Sequence, residues 1–151
     1  MKRLTMLFLA TAAILPMAVG ISHAATRAHA ASSAKLQLRH TALGSILVNR
    51  GGHTVFVFTR DSRNHDRCAQ VAGCNGIWPM VTSSGTPTLG PGVKRSLVGT
   101  IMVAGARQVT YAGHPLYTYI GDSGPGDTSY VGQSQFGGKW FALNAAGQIV
   151  K

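Results

Sequence analysis

The sequence predicts an all-β protein in which two pseudo-symmetric antiparallel repeats pack as one small sandwich-like domain. Residues 52–61, GHTVFVFTRD, are matched 61 residues later by residues 113–122, GHPLYTYIGD. Both copies are rich in β-branched and aromatic residues, which favour strands, and 19 Gly and 6 Pro provide turns throughout the chain. Helical periodicity is confined to the N-terminal apolar segment.

Residues 1–24 have the three parts of a secretory signal peptide. Two basic residues precede an apolar run to Ile21, and Ser22-His23-Ala24 supplies small residues at the cleavage-defining positions. A later site would place cleavage after Ala30. Because no cysteine follows the run to carry a lipid, we expect a secreted or periplasmic protein with no transmembrane segment in the mature chain.

The mature chain is long enough for one domain with its own core. An Ala/Ser-rich start predicts a flexible leader over residues 25–42. The two-repeat β domain is then expected over 43–150, with repeat 1 at about 43–81 and repeat 2 at about 97–143.

Strands are predicted on both sides of each Gly-His turn and around each Gly-x-Trp sequence. In both repeats the strand after the turn leads into an Asp-containing loop and then into the Gly-x-Trp sequence. In chain order the predicted strands are Ser45–Asn49, Thr54–Thr59, a Trp-bearing strand at Gly76-Ile77-Trp78, Leu97–Val103, Gln108–Tyr111, Leu116–Tyr119, Lys139–Leu143 and Gln148–Val150.

Each repeat carries a pair of aromatic residues two positions apart, Phe56 with Phe58 and Tyr117 with Tyr119. Residues at this spacing lie on the same face of a strand. We expect the pairs on the core face of a sheet, because Phe has no polar group to present to solvent. A stacking platform for a sugar or a base is the alternative.

The chain has four acidic residues, which occupy equivalent loop positions in the two repeats: Asp61, Asp66, Asp122 and Asp127. Short Asp side chains close turns by accepting backbone N–H bonds, and we expect this structural role. A hard cation such as calcium is an alternative for the second loop alone, since Arg63 and Arg67 flank the first pair.

Cys68 and Cys74 are expected to form a disulfide, the usual state of a close pair in an oxidising compartment. The alternative is a metal-binding or redox pair. Five intervening residues disfavour it, because thioredoxin motifs and zinc knuckles use two.

His53 and His114 are equivalent residues in the two predicted turns. With Asp122 and Asp127 they are weak candidates for a metal site, because a transition metal needs more ligands brought together. We therefore expect no cofactor. An exported metal- or haem-handling redox protein is the alternative function.

After cleavage at Ala24, four Lys and eight Arg against four Asp give a net charge of +8. This charge favours an anionic wall polymer, a polysaccharide or an envelope protein as partner, and nucleic acid is not expected outside the cell. No nucleophile elbow, zinc-protease motif or phosphate loop occurs. The sequence therefore predicts a non-catalytic binding or structural module of the cell envelope or extracellular space.

These motifs resemble a family described as a secreted repeat of unknown function, or as predicted lipoproteins with a Tyr-x-(Phe/Trp/Tyr)-x-x-Asp motif. Residues 117–122, YTYIGD, match the motif fully, and residues 56–61, FVFTRD, match it except that Phe56 replaces the leading Tyr. The Cys-containing loop that leads to Trp78-Pro79 is also similar. The resemblance implies an exported repeat protein, while the absent lipid-bearing cysteine implies a form without a lipid anchor.

Overall fold

The computed structural model describes residues 32–151, so the predicted signal peptide, both cleavage sites and residues 25–31 lie outside the described residues. No helix in this part of the chain is long and apolar enough to cross a membrane. One helical turn, α1, spans Cys74–Ile77, so the Trp-bearing strand predicted at Gly76-Ile77-Trp78 was wrong. Two 3-10 turns span Cys68–Gln70 and Arg95–Leu97. The strands are Lys35–Thr41 (β1), Gly44–Val48 (β2), Phe56–Phe58 (β3), Thr88–Leu89 (β4), Val98–Val103 (β5), Ala106–Tyr111 (β6), His114–Pro115 (β7), Ser134–Gln135 (β8), Gly138–Leu143 (β9) and Ile149–Val150 (β10).

The strands form three sheets, which confirms the all-β class. One sheet has the order β2-β1-β4, the second has the order β10-β9-β3 with β8 also on β9, and the third has the order β5-β6-β7. Paired strands are antiparallel except β1 and β4, which run parallel. The second sheet joins β3 of repeat 1 to β9 of repeat 2, so the two repeats share a sheet.

Strand β1 shows that the predicted flexible leader was wrong over residues 35–41. β1 forms a hairpin with β2, in which Thr41 pairs with Gly44. Leu36 has no exposed surface and packs in the core, which anchors the strand. The hairpin of β1 and β2 is the counterpart in repeat 1 of the hairpin of β5 and β6, so repeat 1 begins near residue 35.

Equivalent residues of the two repeats pair with each other at the centre of the molecule. The N–H of Phe56 donates to the carbonyl of Tyr117 at 2.8 Å, and the N–H of Tyr117 donates to the carbonyl of Phe56 at 3.0 Å. On the outer sides Phe56 pairs with Ala142 and Tyr117 pairs with Met80, each two residues beyond the Trp of its repeat. Reciprocal pairing of counterparts is the signature of a twofold relation, and we place a local pseudo-twofold axis between Phe56 and Tyr117.

The central strand is buried on both faces. Val55 and Val57 belong to a mainly aliphatic cluster, whereas Phe56 and Phe58 belong to an aromatic cluster that includes both cysteines. Successive side chains of a strand point to opposite faces. In the TVFVF sequence the valines therefore lie on one face and the phenylalanines on the other. The aliphatic cluster consists of Leu36, Leu47, Val55, Val57, Val81, Val109, Tyr111, Leu116 and Leu143.

Candidate functional site

Four aromatic rings from the two repeats form one stack across the pseudo-twofold axis. The ring centroids of Phe58 and Trp140 are 4.3 Å apart, those of Trp140 and Trp78 are 3.7 Å apart, and those of Trp78 and Tyr119 are 4.6 Å apart. The planes of the two Trp rings differ by 2°. We call these four residues the aromatic column. Phe58 and Tyr119 are counterparts in the two repeats, and so are Trp140 and Trp78. The column therefore shows the same succession of repeat positions whichever end it is followed from.

The leading motif residues lie at the edges of the aromatic column. Phe56 meets Trp78 edge-on at 5.2 Å, and Tyr117 meets Trp140 edge-on at 5.3 Å. Phe56, Phe58 and Tyr117 are buried, which confirms their predicted core position. Tyr119 is half-buried, so this end of the column reaches the surface.

Asp61 is bonded by the motif tyrosine of the other repeat. Its Oδ2 accepts the hydroxyl of Tyr117 at 2.9 Å, and its Oδ1 accepts the N–H of Arg67 at 2.8 Å. Burial raises the pKa of Asp61 to about 7, with a contribution from the negative charge of Asp66. Burial and the two nearby carboxylates also raise the pKa of Tyr117, so its phenol keeps the proton that it donates. The motif therefore links the repeats through a side-chain bond, which we call the cross-repeat bond.

Asp122 is the counterpart of Asp61, yet it has no such partner. Both of its carboxylate oxygens are buried, and neither has a hydrogen-bond partner in the described residues. The residue that stands where the other repeat has Tyr117 is Phe56, which has no hydroxyl. Burial raises the pKa of Asp122 to about 7, and the charge of Asp127 adds to the rise. The Phe substitution noted in the sequence thus leaves the second cross-repeat bond unmade.

The other two aspartates organise their own loops. Asp66 is 5% exposed, and its Oδ1 accepts the N–H of Ala69 at 2.8 Å, while its Oδ2 is buried without a partner. Asp127 accepts the N–H and hydroxyl of Ser123 at 2.8 and 2.6 Å and the N–H of Ser129 at 2.8 Å. These donors hold the pKa of Asp127 well below its usual range. Asp66 and Asp127 thus both accept hydrogen bonds from backbone N–H groups of their own loops, as expected for Asp side chains that close turns.

Cys68 and Cys74 form the predicted disulfide, with their Cα atoms 5.4 Å apart. Both are fully buried and belong to the same aromatic cluster as Trp78, which follows their loop, and Trp140. The 3-10 turn that begins at Cys68 and helix α1 that begins at Cys74 bring the two side chains together. The bridge therefore fixes the Asp-containing loop of repeat 1 against the aromatic column.

The two turn histidines differ in their surroundings. The N–H of His53 donates to Oδ1 of Asn49 at 3.1 Å, which closes the turn after β2. His114 lies in β7, and partial burial together with the charge of Arg63 lowers its pKa. Within residues 32–151 no group of three or more His, Cys, Asp or Glu side chains is arranged to hold a metal ion.

A strip of basic and hydroxyl side chains follows residues 82–87, the segment between the repeats. Three adjoining depressions of about 190, 420 and 180 Å³ lie along it. The first two share Thr82 and the last two share Arg107, and no carboxylate of the described residues lines any of them. We define the basic strip as residues 82–87 with the four cationic side chains that line these depressions: Lys35, Arg50, Arg95 and Arg107.

Comparison with known proteins identifies the family. A family model described as a secreted repeat of unknown function matches residues 38–82 and 102–144, which together are more than half of the chain. No curated protein and no solved structure matches the chain. The two matched segments are the two repeats that meet at the pseudo-twofold axis, and the chain belongs to this family of secreted repeat proteins.

Proposed function

We propose that this secreted repeat protein is a non-catalytic binding module that attaches to an anionic polymer of the cell envelope or the extracellular space. The main observation behind the proposal is the difference between the roles of the acidic and the basic residues. The chain has 14 Lys and Arg residues against four acidic residues. Asp61, Asp66 and Asp127 accept hydrogen bonds within loops or across the repeat interface, and the carboxylate oxygens of Asp122 are buried. The positive charge is therefore left for a partner outside the chain.

The hydrogen bonds of the charged groups support this proposal. In the described residues the aspartates accept from backbone N–H groups and hydroxyls, and no Lys or Arg side chain is among their donors. Arginine side chains donate instead to neutral acceptors, as Arg60 does to the carbonyl of Phe136 at 2.8 Å. A guanidinium that meets only neutral oxygen keeps its charge and its remaining donors available to an anion.

The physical mechanism is electrostatic attachment of a rigid domain. The shared sheet, the aromatic column and the disulfide fix the backbone that carries the cationic side chains, so binding need not order the backbone. Attraction between exposed charges weakens as salt shortens the screening length from about 10 Å at 0.1 M to about 3 Å at 1 M. Wall polymers, acidic polysaccharides and acidic envelope proteins all offer the charge that this surface attracts.

The test is retention of the mature protein on immobilised dextran sulfate and on neutral dextran at 0.05, 0.15 and 0.5 M salt, that is, across about a threefold change in screening length. We expect retention on the sulfated matrix alone, and elution as salt rises. Equal retention on both matrices, retention that salt does not weaken, or no retention at all would overturn the proposal.

A further inference from the structure

We propose that the basic strip is the binding site for a linear polymer whose repeating anionic group is a phosphate, an inference that rests on the proposed function. Nothing in the family description assigns a site or a ligand to this surface. The polymer would bind along the basic strip, on one flank of the molecule, rather than over the whole surface.

The segment that forms the floor of the basic strip is fixed on both sides. The N–H of Ser83 donates to the carbonyl of Arg107 at 2.9 Å, and Thr82 forms a bridge with Gln108. On the other side the hydroxyl of Ser83 accepts the N–H of Ala34 at 2.9 Å. Ser83 is 3% exposed, whereas Thr82, Ser84 and Thr86 are exposed, so three hydroxyls lie on the outward face of an anchored segment.

The cations are placed along the whole length of this floor. Lys35 and Arg50 line the first depression, and Arg107 lines both the second and the third. Arg95 lines the third depression, where its guanidinium donates to the carbonyl of Pro87 at 2.9 Å. This bond fixes the orientation of Arg95 and leaves further N–H groups free for a ligand. A flexible chain that crosses the strip would meet cationic groups in sequence.

The lining favours a phosphate over a sugar ring or a carboxylate. Within residues 32–151 no aromatic residue lines the three depressions, so this part of the chain gives the strip no stacking surface for sugar rings. Two arginines, Arg95 and Arg107, line one depression of about 180 Å³ together with Thr86 and Thr100. One guanidinium fork satisfies a planar carboxylate, whereas a tetrahedral phosphate has oxygens in several planes for two forks and hydroxyl donors.

The test compares variants that change charge equally at different places. Arg95→Gln/Arg107→Gln removes two cations from the basic strip, and Arg60→Gln/Arg63→Gln removes two exposed cations that line none of the three depressions. The probe is linear polyphosphate, with polyglutamate as the carboxylate polymer, and the readout is the Kd at 0.15 M salt, where the screening length is about 8 Å. Thermal unfolding of each variant checks that it remains folded.

We expect Arg95→Gln/Arg107→Gln to weaken polyphosphate binding about tenfold or more, which is at least about 1.4 kcal/mol, because the polymer would lose charged hydrogen bonds from both guanidinium groups. The control pair should weaken it less than about threefold, the share expected from net charge alone. Arg95→Lys/Arg107→Lys keeps the positive charge but removes the two guanidinium forks. A partial loss of polyphosphate affinity in this variant supports specific recognition of phosphate by the arginines. Equal losses in both Gln pairs, or equal affinity for polyglutamate, overturn this inference while the proposed function stands. Wild type that binds neither polymer overturns both.

Discussion

Replacing Phe56 with Tyr is expected to stabilise the protein, because the pseudo-twofold relation would place the new hydroxyl where Asp122 lacks a donor. In the existing cross-repeat bond the hydroxyl of Tyr117 reaches Asp61 at 2.9 Å. At the counterpart position both carboxylate oxygens of Asp122 are buried without a partner. Phe56→Tyr adds one oxygen atom and changes nothing else in the motif.

The magnitude follows from the cost of an unpaired buried acceptor. A buried polar atom without a partner costs about 1–3 kcal/mol, and a hydrogen bond contributes about 1 kcal/mol net. We expect Phe56→Tyr to raise the free energy of unfolding by about 1–2 kcal/mol, which is about 4–8 °C in Tm for a domain of this size. The reverse change, Tyr117→Phe, leaves Oδ2 of Asp61 without a donor and should cost about 1–3 kcal/mol.

The assay is denaturant unfolding of the mature protein followed by Trp fluorescence, because Trp78 and Trp140 lie at the centre of the molecule. A double-mutant cycle with Asp122→Ala isolates the new bond. In the Asp122→Ala background Phe56→Tyr should no longer stabilise. A stability gain of equal size in that background, or a destabilised Phe56→Tyr single variant, would refute the symmetric geometry of the cross-repeat bond.

Three further outcomes follow from the structure. The folded protein keeps protons on Asp61 and Asp122, whose pKa values rise from 3.8 to about 7, so its free energy of unfolding should fall as pH rises from about 4 to 7; a rise over that range in urea titrations would contradict this. Gly138→Ala should lower Tm, since its methyl would lie 2.5 Å from the Phe58 ring, whereas Gly76→Ala, with open space around it, should not; equal Tm values would contradict the packing. Reduction of the disulfide should lower the free energy of unfolding by about 2–5 kcal/mol, and an unchanged denaturation midpoint would contradict its predicted role.

Local features of the sequence predicted the elements that depend on local physics. The alternation in residues 54–58 assigned Val and Phe to opposite faces, and the close spacing of Cys68 and Cys74 predicted their disulfide. Residue repetition predicted two similar units. It did not predict that Phe56 pairs with its counterpart Tyr117. Alternation along a strand shows which side chains share a face, but it does not show which strand lies beside it.

The missed features depend on contacts between distant parts of the chain. Strand β1 follows an Ala/Ser-rich segment, and its alternating leucines were the available signal, together with the repeat offset applied back from the strand predicted at 97–103. The basic strip had no such signal. Its cations lie at 35, 50, 95 and 107, far apart in sequence, and only the packing of the repeats brings them beside residues 82–87.

The most direct measurement of the proposed attachment is an amide chemical-shift titration of the isotope-labelled mature protein with linear polyphosphate. We expect saturable amide shifts at residues 82–86 and at Arg95 and Arg107, and we expect high salt to reverse them because it shortens the range of the electrostatic attraction. The amides of the Asp-containing loop at 61–67 should remain in place. Shifts centred on that loop, shifts spread evenly over the surface, or no shifts at all would contradict attachment of the polymer at the basic strip.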